Sequence, residues 1–162
     1  MKKYAIFILI VAIGLIIGYI FYPKTVKRSV IDNKTLNNVD ESVKIIAPVI
    51  TKESSALNAL NKLHDSSEKG FSEIPKELKF TKVEYDKKDS IATVYARFDG
   101  SKESLSSFQE SKMLLQIFNT VKLNIPETKR FRIIFSGDSP FTEIRTDLLF
   151  TVEGENLIVL GE

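Results

Sequence analysis

Two stretches of the chain, residues 74–98 and residues 118–138, constrain the fold more than any other part of the sequence. The first begins with Ile74-Pro75 and contains two runs of alternating apolar and polar residues, separated by the charged turn 86–90. The second contains the end of a helical pattern, a loop marked by Pro126, and a third alternating run over 130–136. Alternation with a period of two indicates half-buried strands. The two stretches together predict a sheet with a helix crossing between its second and third strands.

The strand over residues 91–98 has the clearest pattern, because its apolar side chains share one face. They are Ala92, Val94, Ala96 and Phe98. In the preceding strand, Leu78 and Phe80 alternate, and then Val83 and Tyr85 alternate one residue out of step. A shift of this kind predicts a β-bulge between the two halves of the strand.

Helical periodicity predicts a short helix over residues 54–64 and a long helix over residues 104–123. Two short apolar runs, 148–152 and 157–160, surround Gly154 and predict a closing hairpin. The expected fold class is α+β. It is a compact α-β-β-α-β sandwich with a C-terminal β-hairpin, in a domain spanning residues 43–162.

The N-terminal part of the chain predicts a membrane anchor over residues 1–23. Residues 4–22 are 19 positions without a charge, roughly 28 Å of helix at about 1.5 Å per residue, which is close to the thickness of a bilayer's hydrocarbon core. A cleaved signal peptide is the alternative, although no small-x-small cleavage site follows the run. Gly14 and Gly18 form a G-x-x-x-G pair, a candidate for packing between membrane helices. Glycine is also simply common in such helices.

Residues 24–42 are rich in Asn, Asp, Ser, Thr and Lys, and they predict a polar tether between the anchor and the domain. The charge of the chain is unevenly distributed. Five of its 23 basic residues flank the apolar run, which leaves 18 basic against 21 acidic residues beyond it, a net charge of −3. A slightly acidic domain argues against a nucleic-acid partner, because such binding needs a concentrated basic face.

The sequence offers no constellation of residues for catalysis, cofactor binding or metal binding. It contains no cysteine, which excludes thiolate ligands and thiol nucleophiles. The single histidine, His64, has no evident catalytic partner, and Asp86 and Asp89 lie among lysines in a turn. The expectation is a protein that is not an enzyme and needs no cofactor.

Several short motifs resemble the GerMN domain of bacterial sporulation and spore-germination envelope proteins. Ile74-Pro75 matches the start of the family's first strand, Ala92-Thr93-Val94 its second strand, residues 118–121 (Phe-Asn-Thr-Val) its helix end, and Gly137 its closing glycine. Two positions differ from the pattern: Glu77-Leu78 stand where the family often has Gly-Thr, and Tyr95 replaces a common aspartate.

The resemblance implies a non-catalytic module related to the ring-building motif of sporulation channel proteins. Members are tethered to the outer face of the cytoplasmic membrane and are associated with assembly of envelope complexes. For this chain it implies a single-pass protein of the cytoplasmic membrane, held in the bilayer by residues 4–22, with an extracytoplasmic C-terminal domain. The chain departs from the family by having one copy of the domain, no lipid-bearing cysteine and an extra hairpin.

The functional hypothesis is a membrane-anchored interaction or assembly module of the bacterial envelope, docking a partner protein or a second copy of itself. The alternative is a module that binds cell-wall glycan or peptide, with Tyr85, Tyr95 and Arg97 as contacts, so peptidoglycan remains a candidate partner. The candidate interaction surface is a set of aromatic and basic side chains on the strands. It comprises Tyr85, Tyr95, Arg97, Arg130 and Arg132.

Overall fold

The computed structural model describes residues 2–20, 22–46, 48, 51–65, 67–100, 105–154 and 156–160. In these residues the chain forms three α-helices: α1 (Lys2–Ile20), α2 (Lys52–Asn61) and α3 (Ser107–Asn124). It also forms eight strands: β1 (Lys24–Asp32), β2 (Asn38–Ile45), β3 (Gly70–Phe71), β4 (Leu78–Asp86), β5 (Ile91–Phe98), β6 (Arg130–Phe135), β7 (Leu149–Glu153) and β8 (Asn156–Leu160). A 3₁₀ turn, Lys62–His64, extends α2.

The large sheet has five strands in the order β4-β5-β6-β7-β8. Neighbouring strands are antiparallel except β5 and β6, which are parallel and joined through α3. The register of β4 against β5 shifts between Phe80 and Lys82. The predictions of α+β class, of the bulge and of the C-terminal hairpin are therefore confirmed, and the hairpin extends the same sheet.

Helices α2 and α3 cover one face of this sheet, and the main core lies between the helices and the sheet. Phe131 is at its centre, with its ring 4.9 Å from that of Phe118 on α3 and 5.5 Å from that of Phe150 on β7. Ala92 and Ala96 of β5 are buried in the same core. Burial of these large apolar side chains supplies most of the stabilisation of the domain.

Both helices of the core begin with a capping box. The Thr51 hydroxyl accepts a hydrogen bond from the backbone N–H of Ser54, and Ser106 does the same for Gln109. In each case the side chain at the third helical position bonds back to the cap residue. Such caps satisfy backbone donors that the helix itself leaves free. Helix α3 thus begins at Ser107, whereas the predicted start, residue 104, lies outside the described residues.

The prediction of a polar tether over residues 24–42 is wrong. Strands β1 and β2 form an antiparallel hairpin that continues into a three-stranded sheet in the order β2-β1-β3. This second sheet packs on the other side of α2 and α3, so the helices lie between two sheets. The hairpin is ordered because Val26, Val30 and Ile31 are buried and because its polar residues find partners on the helices.

The polar partners are specific. The backbone N–H of Ser29 donates to the Thr120 hydroxyl at 3.0 Å, and the amide of Gln116 donates to the Ser29 carbonyl at 3.1 Å. Arg28 is 2% exposed; it forms an ion pair with Glu41 at 2.6 Å and donates to the carbonyls of Lys62 and Asp65. Buried polar groups of this kind are tolerated because they are hydrogen-bonded.

The prediction of a transmembrane helix is also wrong. Within the described residues, no helix combines the length and the apolar character needed to cross a membrane. Helix α1 ends at Ile20 and includes Lys2 and Lys3, so its uncharged part is 17 of its 19 residues. The single-pass localisation is therefore wrong as well. The bilayer contact of residues 4–22 and the packing role of Gly14 and Gly18 stay predictions.

Candidate interaction surface

The outer face of the five-stranded sheet is the surface on which most of the predicted contact residues meet. Because side chains alternate along a strand, the residues that do not point to the helices point away from them. We call this the open face, since among the described residues no helix or strand covers it. Its members across β4, β5 and β6 are Lys79, Lys82, Glu84, Thr93, Tyr95, Arg97, Arg130, Arg132 and Ile134.

One polar cluster on the open face joins β4 to β5. The Tyr95 hydroxyl donates to Glu84 at 2.7 Å, the Lys82 ammonium lies 2.5 Å from the same carboxylate, and that ammonium also lies 5.6 Å from the centre of the Tyr95 ring. The hydrogen bond from Lys82 is the main cause of a lowered pKa of Glu84, and the hydrogen bond from Tyr95 is the second cause. The bond to Glu84 raises the pKa of Tyr95. The tyrosine ring is thereby fixed on the surface.

A second cluster lies at the end of β5. Arg97 and Lys79 both bond Asp99, at 2.7 Å and 3.1 Å. The hydrogen bond from Arg97, with that from Lys79, lowers the pKa of Asp99 below its ordinary value. Two cations therefore share one carboxylate, which leaves a local excess of positive charge. All three side chains are accessible to solvent, so the ion pairs themselves contribute little stability.

Among the residues that the structure describes, the arginines of the central strand β6 have no carboxylate partner. Arg132 donates from Nε to the Thr93 hydroxyl at 3.3 Å, and Arg130 donates to the backbone carbonyl of Asp89 at 2.7 Å. In the described part of the chain, no acidic side chain forms an ion pair with either residue. The middle of the open face thus carries two guanidinium groups whose charge is not neutralised.

Of the predicted contact residues, the structure brings Tyr95, Arg97, Arg130 and Arg132 to the open face. Tyr85 lies on the opposite face, since its partner on β5 is the buried Ala92 and its ring packs against the core. The one-residue shift at the bulge turns Tyr85 inward. Sequence reasoning missed Lys82, Glu84 and Asp99, although their pairing with Tyr95 and Arg97 could have been found from the cross-strand register once the bulge was placed.

His64 lies at the end of the 3₁₀ turn, with Nε2 2.8 Å from the Leu78 carbonyl, where it ties the turn to β4. Among the described residues, no group of three acidic or histidine side chains could hold a metal ion. Glycines 14 and 18 lie on α1 with no neighbouring atom where a Cβ would stand, so in the described structure nothing packs on them.

Comparison with known proteins gives little further information. No protein-family model matches the chain, and no curated protein matches it. Among solved structures, the chain is similar to a crystal structure described as a "Putative Lipoprotein from Clostridium perfringens". The identity is 17%, the match covers 80% of this chain and 86% of that chain, and the TM-score is 0.48. Similarity at this level does not place the chain in a family.

Proposed function

We propose that this chain is a non-catalytic interaction module of the bacterial envelope and that it binds a partner protein through the open face. The observation that carries the proposal is the pair of unneutralised arginines on the central strand, Arg130 and Arg132. Tyrosine and arginine are enriched in protein interfaces, and an arginine at the centre of a flat surface is a frequent binding hot spot. The resemblance to the GerMN domain supports the same class of function.

The charge of the open face indicates the chemistry of the partner. Glu84 and Asp99 are already bonded by Lys82, Tyr95, Arg97 and Lys79. Within the described residues, Arg132 bonds the Thr93 hydroxyl and no carboxylate. A carboxylate from a partner could bind the guanidinium of Arg132 in a bidentate manner. Ile134, beside Tyr95, adds partly exposed apolar surface. We therefore expect an acidic partner surface with an apolar centre.

The glycan alternative has weaker support. Stacking on a sugar needs an aromatic ring with a free face, and the Tyr95 ring has the Lys82 ammonium against it. Tyr85 points away from the open face, and its ring packs against the core. All three residues proposed for this function are therefore engaged elsewhere, since Arg97 is paired with Asp99.

The substitution Arg132→Glu tests the proposal. It reverses the charge at the centre of the open face and should abolish the crosslinks that the full-length chain forms with its partner in cells, identified by mass spectrometry. Loss of a buried charge pair at an interface costs about 2–5 kcal/mol, or at least about thirtyfold in affinity. The side chain is exposed, so the free energy of unfolding should change by about 0.5 kcal/mol or less.

The matched control is Arg145→Glu, the same charge reversal at an exposed side chain between β6 and β7. This variant should keep every crosslink of the parent chain. If Arg132→Glu also keeps them, the open face is not the interface. Co-sedimentation of the parent chain with purified cell wall, abolished by neither variant, would instead favour glycan binding.

A further inference from the structure

The two edges of the five-stranded sheet differ sharply in how they are protected. A strand at the edge of a sheet presents unpaired backbone N–H and C=O groups, and proteins shield such edges with charges, bulges or covering side chains. Strand β4 forms one edge and β8 the other. The contrast between them predicts which edge can pair with another chain.

The β4 edge is closed. The amide of Asn61 donates to the Phe80 carbonyl at 3.0 Å and accepts from the Phe80 N–H at 3.2 Å, as a neighbouring strand would. The Nε2 atom of His64 likewise lies within hydrogen-bond distance of the Leu78 carbonyl oxygen, at 2.8 Å. The bulge after Phe80 distorts the strand, and exposed Lys79 and Lys82 add charge to it. Each of these features opposes pairing with a further strand.

The β8 edge has none of these protections. Its five residues, Asn-Leu-Ile-Val-Leu, contain no charge and no proline, and its pairing with β7 is regular. In the described part of the chain, nothing pairs with its outer side. Glu153 and Asn156 close the β7–β8 hairpin, so alternate residues, Leu157 and Val159, direct their N–H and C=O groups to the free edge.

The side chains of β8 also resemble those of an interior strand. Leu157 and Val159 face the helices, because they pair with Val152 and the buried Phe150. Ile158 and Leu160 face the other way. A strand with one solvated side normally alternates apolar with polar residues, whereas apolar residues on both faces are typical of a covered strand. Val159 nevertheless remains 50% exposed.

We infer that β8 pairs antiparallel with β8 of a second copy of this chain, which joins two five-stranded sheets into one of ten strands. The second copy is the occupant that fits, because an uncharged strand meets no repulsion from its own image. Since the β4 edge is closed, head-to-tail addition is blocked and the assembly stops at two copies related by a two-fold axis. This inference uses neither Arg130 nor Arg132, and it does not depend on the proposed function.

The register follows from symmetry. Full overlap of the five residues places the two-fold axis at Ile158, which then faces Ile158 of the second copy, while Leu157 faces Val159 on either side. Leu157 and Val159 form the hydrogen-bonded pairs, so the two Ile158 residues form the non-hydrogen-bonded pair, with Cα atoms about 4.5 Å apart. This separation lies within the range that a disulfide accepts.

Single-cysteine crosslinking of the full-length chain tests this register directly, because the natural chain has no cysteine. Under mild oxidation, Ile158→Cys should convert to a disulfide-linked dimer at least about tenfold faster than Asn156→Cys, which faces Leu160, or Thr81→Cys, an exposed position on the closed edge. Equal rates for Ile158→Cys and Thr81→Cys would overturn the inference, since any association through α1 is common to both variants.

A second measurement does not require a disulfide. Val159→Lys places an ammonium group against Leu157 of the second copy, and the half-exposed position accepts lysine in the monomer. Sedimentation equilibrium should show dimerisation weakened at least about tenfold, equivalent to about 1.4 kcal/mol, whereas Thr81→Lys should leave it unchanged. A parent chain that is monomeric at every concentration, or two variants with equal association constants, would contradict the inference.

Discussion

Replacing Arg28 with methionine is expected to lower the free energy of unfolding by about 3–5 kcal/mol, because it leaves Glu41 without its cation in a nearly buried position. The substitution also removes the donors to the carbonyls of Lys62 and Asp65 at the end of the 3₁₀ turn. Methionine keeps most of the volume, so the loss reports the polar contacts. Urea denaturation, followed by circular dichroism, measures it.

The control is Lys27→Met, on the same strand but exposed, which should change the free energy of unfolding by about 0.5 kcal/mol or less. The double variant Arg28→Met with Glu41→Gln removes both charges, and it should recover part of the stability lost in the single variant. A loss below about 1 kcal/mol for Arg28→Met would show that the ion pair does not hold the hairpin on the helices.

The same ion pair should make the free energy of unfolding depend on pH. Burial raises the pKa of Glu41, but the hydrogen bond and charge of Arg28, with bonds from Ser67 and Glu68, outweigh it and lower the pKa below 4.5. A carboxyl group with a lowered pKa in the folded state stabilises the fold above its unfolded pKa, and this contribution is lost as the pH falls through the folded value. Below about pH 4.5, the parent chain should therefore lose stability that Glu41→Gln does not lose.

Glu110→Ala is the other substitution with a large expected effect. Glu110 lies in the first turn of α3 and is fully buried, and its carboxylate accepts bonds from the backbone N–H groups of Thr142, Glu143 and Ile144 at 2.6–3.2 Å. The Thr142 hydroxyl donates to it as well, at 2.9 Å. One side chain thus holds the segment between β6 and β7. Because hydrogen bonds to a charged group are strong and their loss leaves several donors unsatisfied, we expect a loss of about 3 kcal/mol or more.

Two further variants separate the contacts of Glu110 from its volume. Glu110→Gln keeps the shape but replaces one accepting oxygen by a donor, and it should cost about half as much as alanine. Glu143→Gln, an exposed change in the same segment, should cost about 0.5 kcal/mol or less. Amide hydrogen exchange at residues 142–144 should accelerate in both Glu110 variants. Unchanged exchange there would show that the carboxylate does not order the segment.

The strands and helices that pack on the main core could be predicted from the sequence, because their alternation and periodicity are strong. The bulge could also be predicted, since apolar residues 78, 80, 83 and 85 change step. That Tyr85 faces the core could not be predicted with the same certainty. The face of Tyr85 depends on which residue is the extra one in the bulge, and only the register of β4 against β5 identifies that residue.

The first hairpin was missed for a different reason. Its polar composition predicts a solvated segment, yet Arg28 and Ser29 are buried, and their partners are a side chain and carbonyls far along the chain. One local signal was present, because Val26, Arg28 and Val30 alternate as a strand does. The pattern is hard to recognise because its central residue, Arg28, is charged. The apolar N-terminal run led to a membrane prediction that no helix among the described residues supports.

The position of the first sheet has a consequence for how the protein folds during synthesis. Strand β1 leaves the ribosome early, but its partners Gln116 and Thr120 lie 87 and 91 residues further along the chain. At about 5–20 residues per second, the hairpin waits several seconds for α3 to emerge. Such distant contacts close slowly and late. The nascent chain therefore carries an incomplete β1–β2 hairpin, open to chaperones, until α3 has been made.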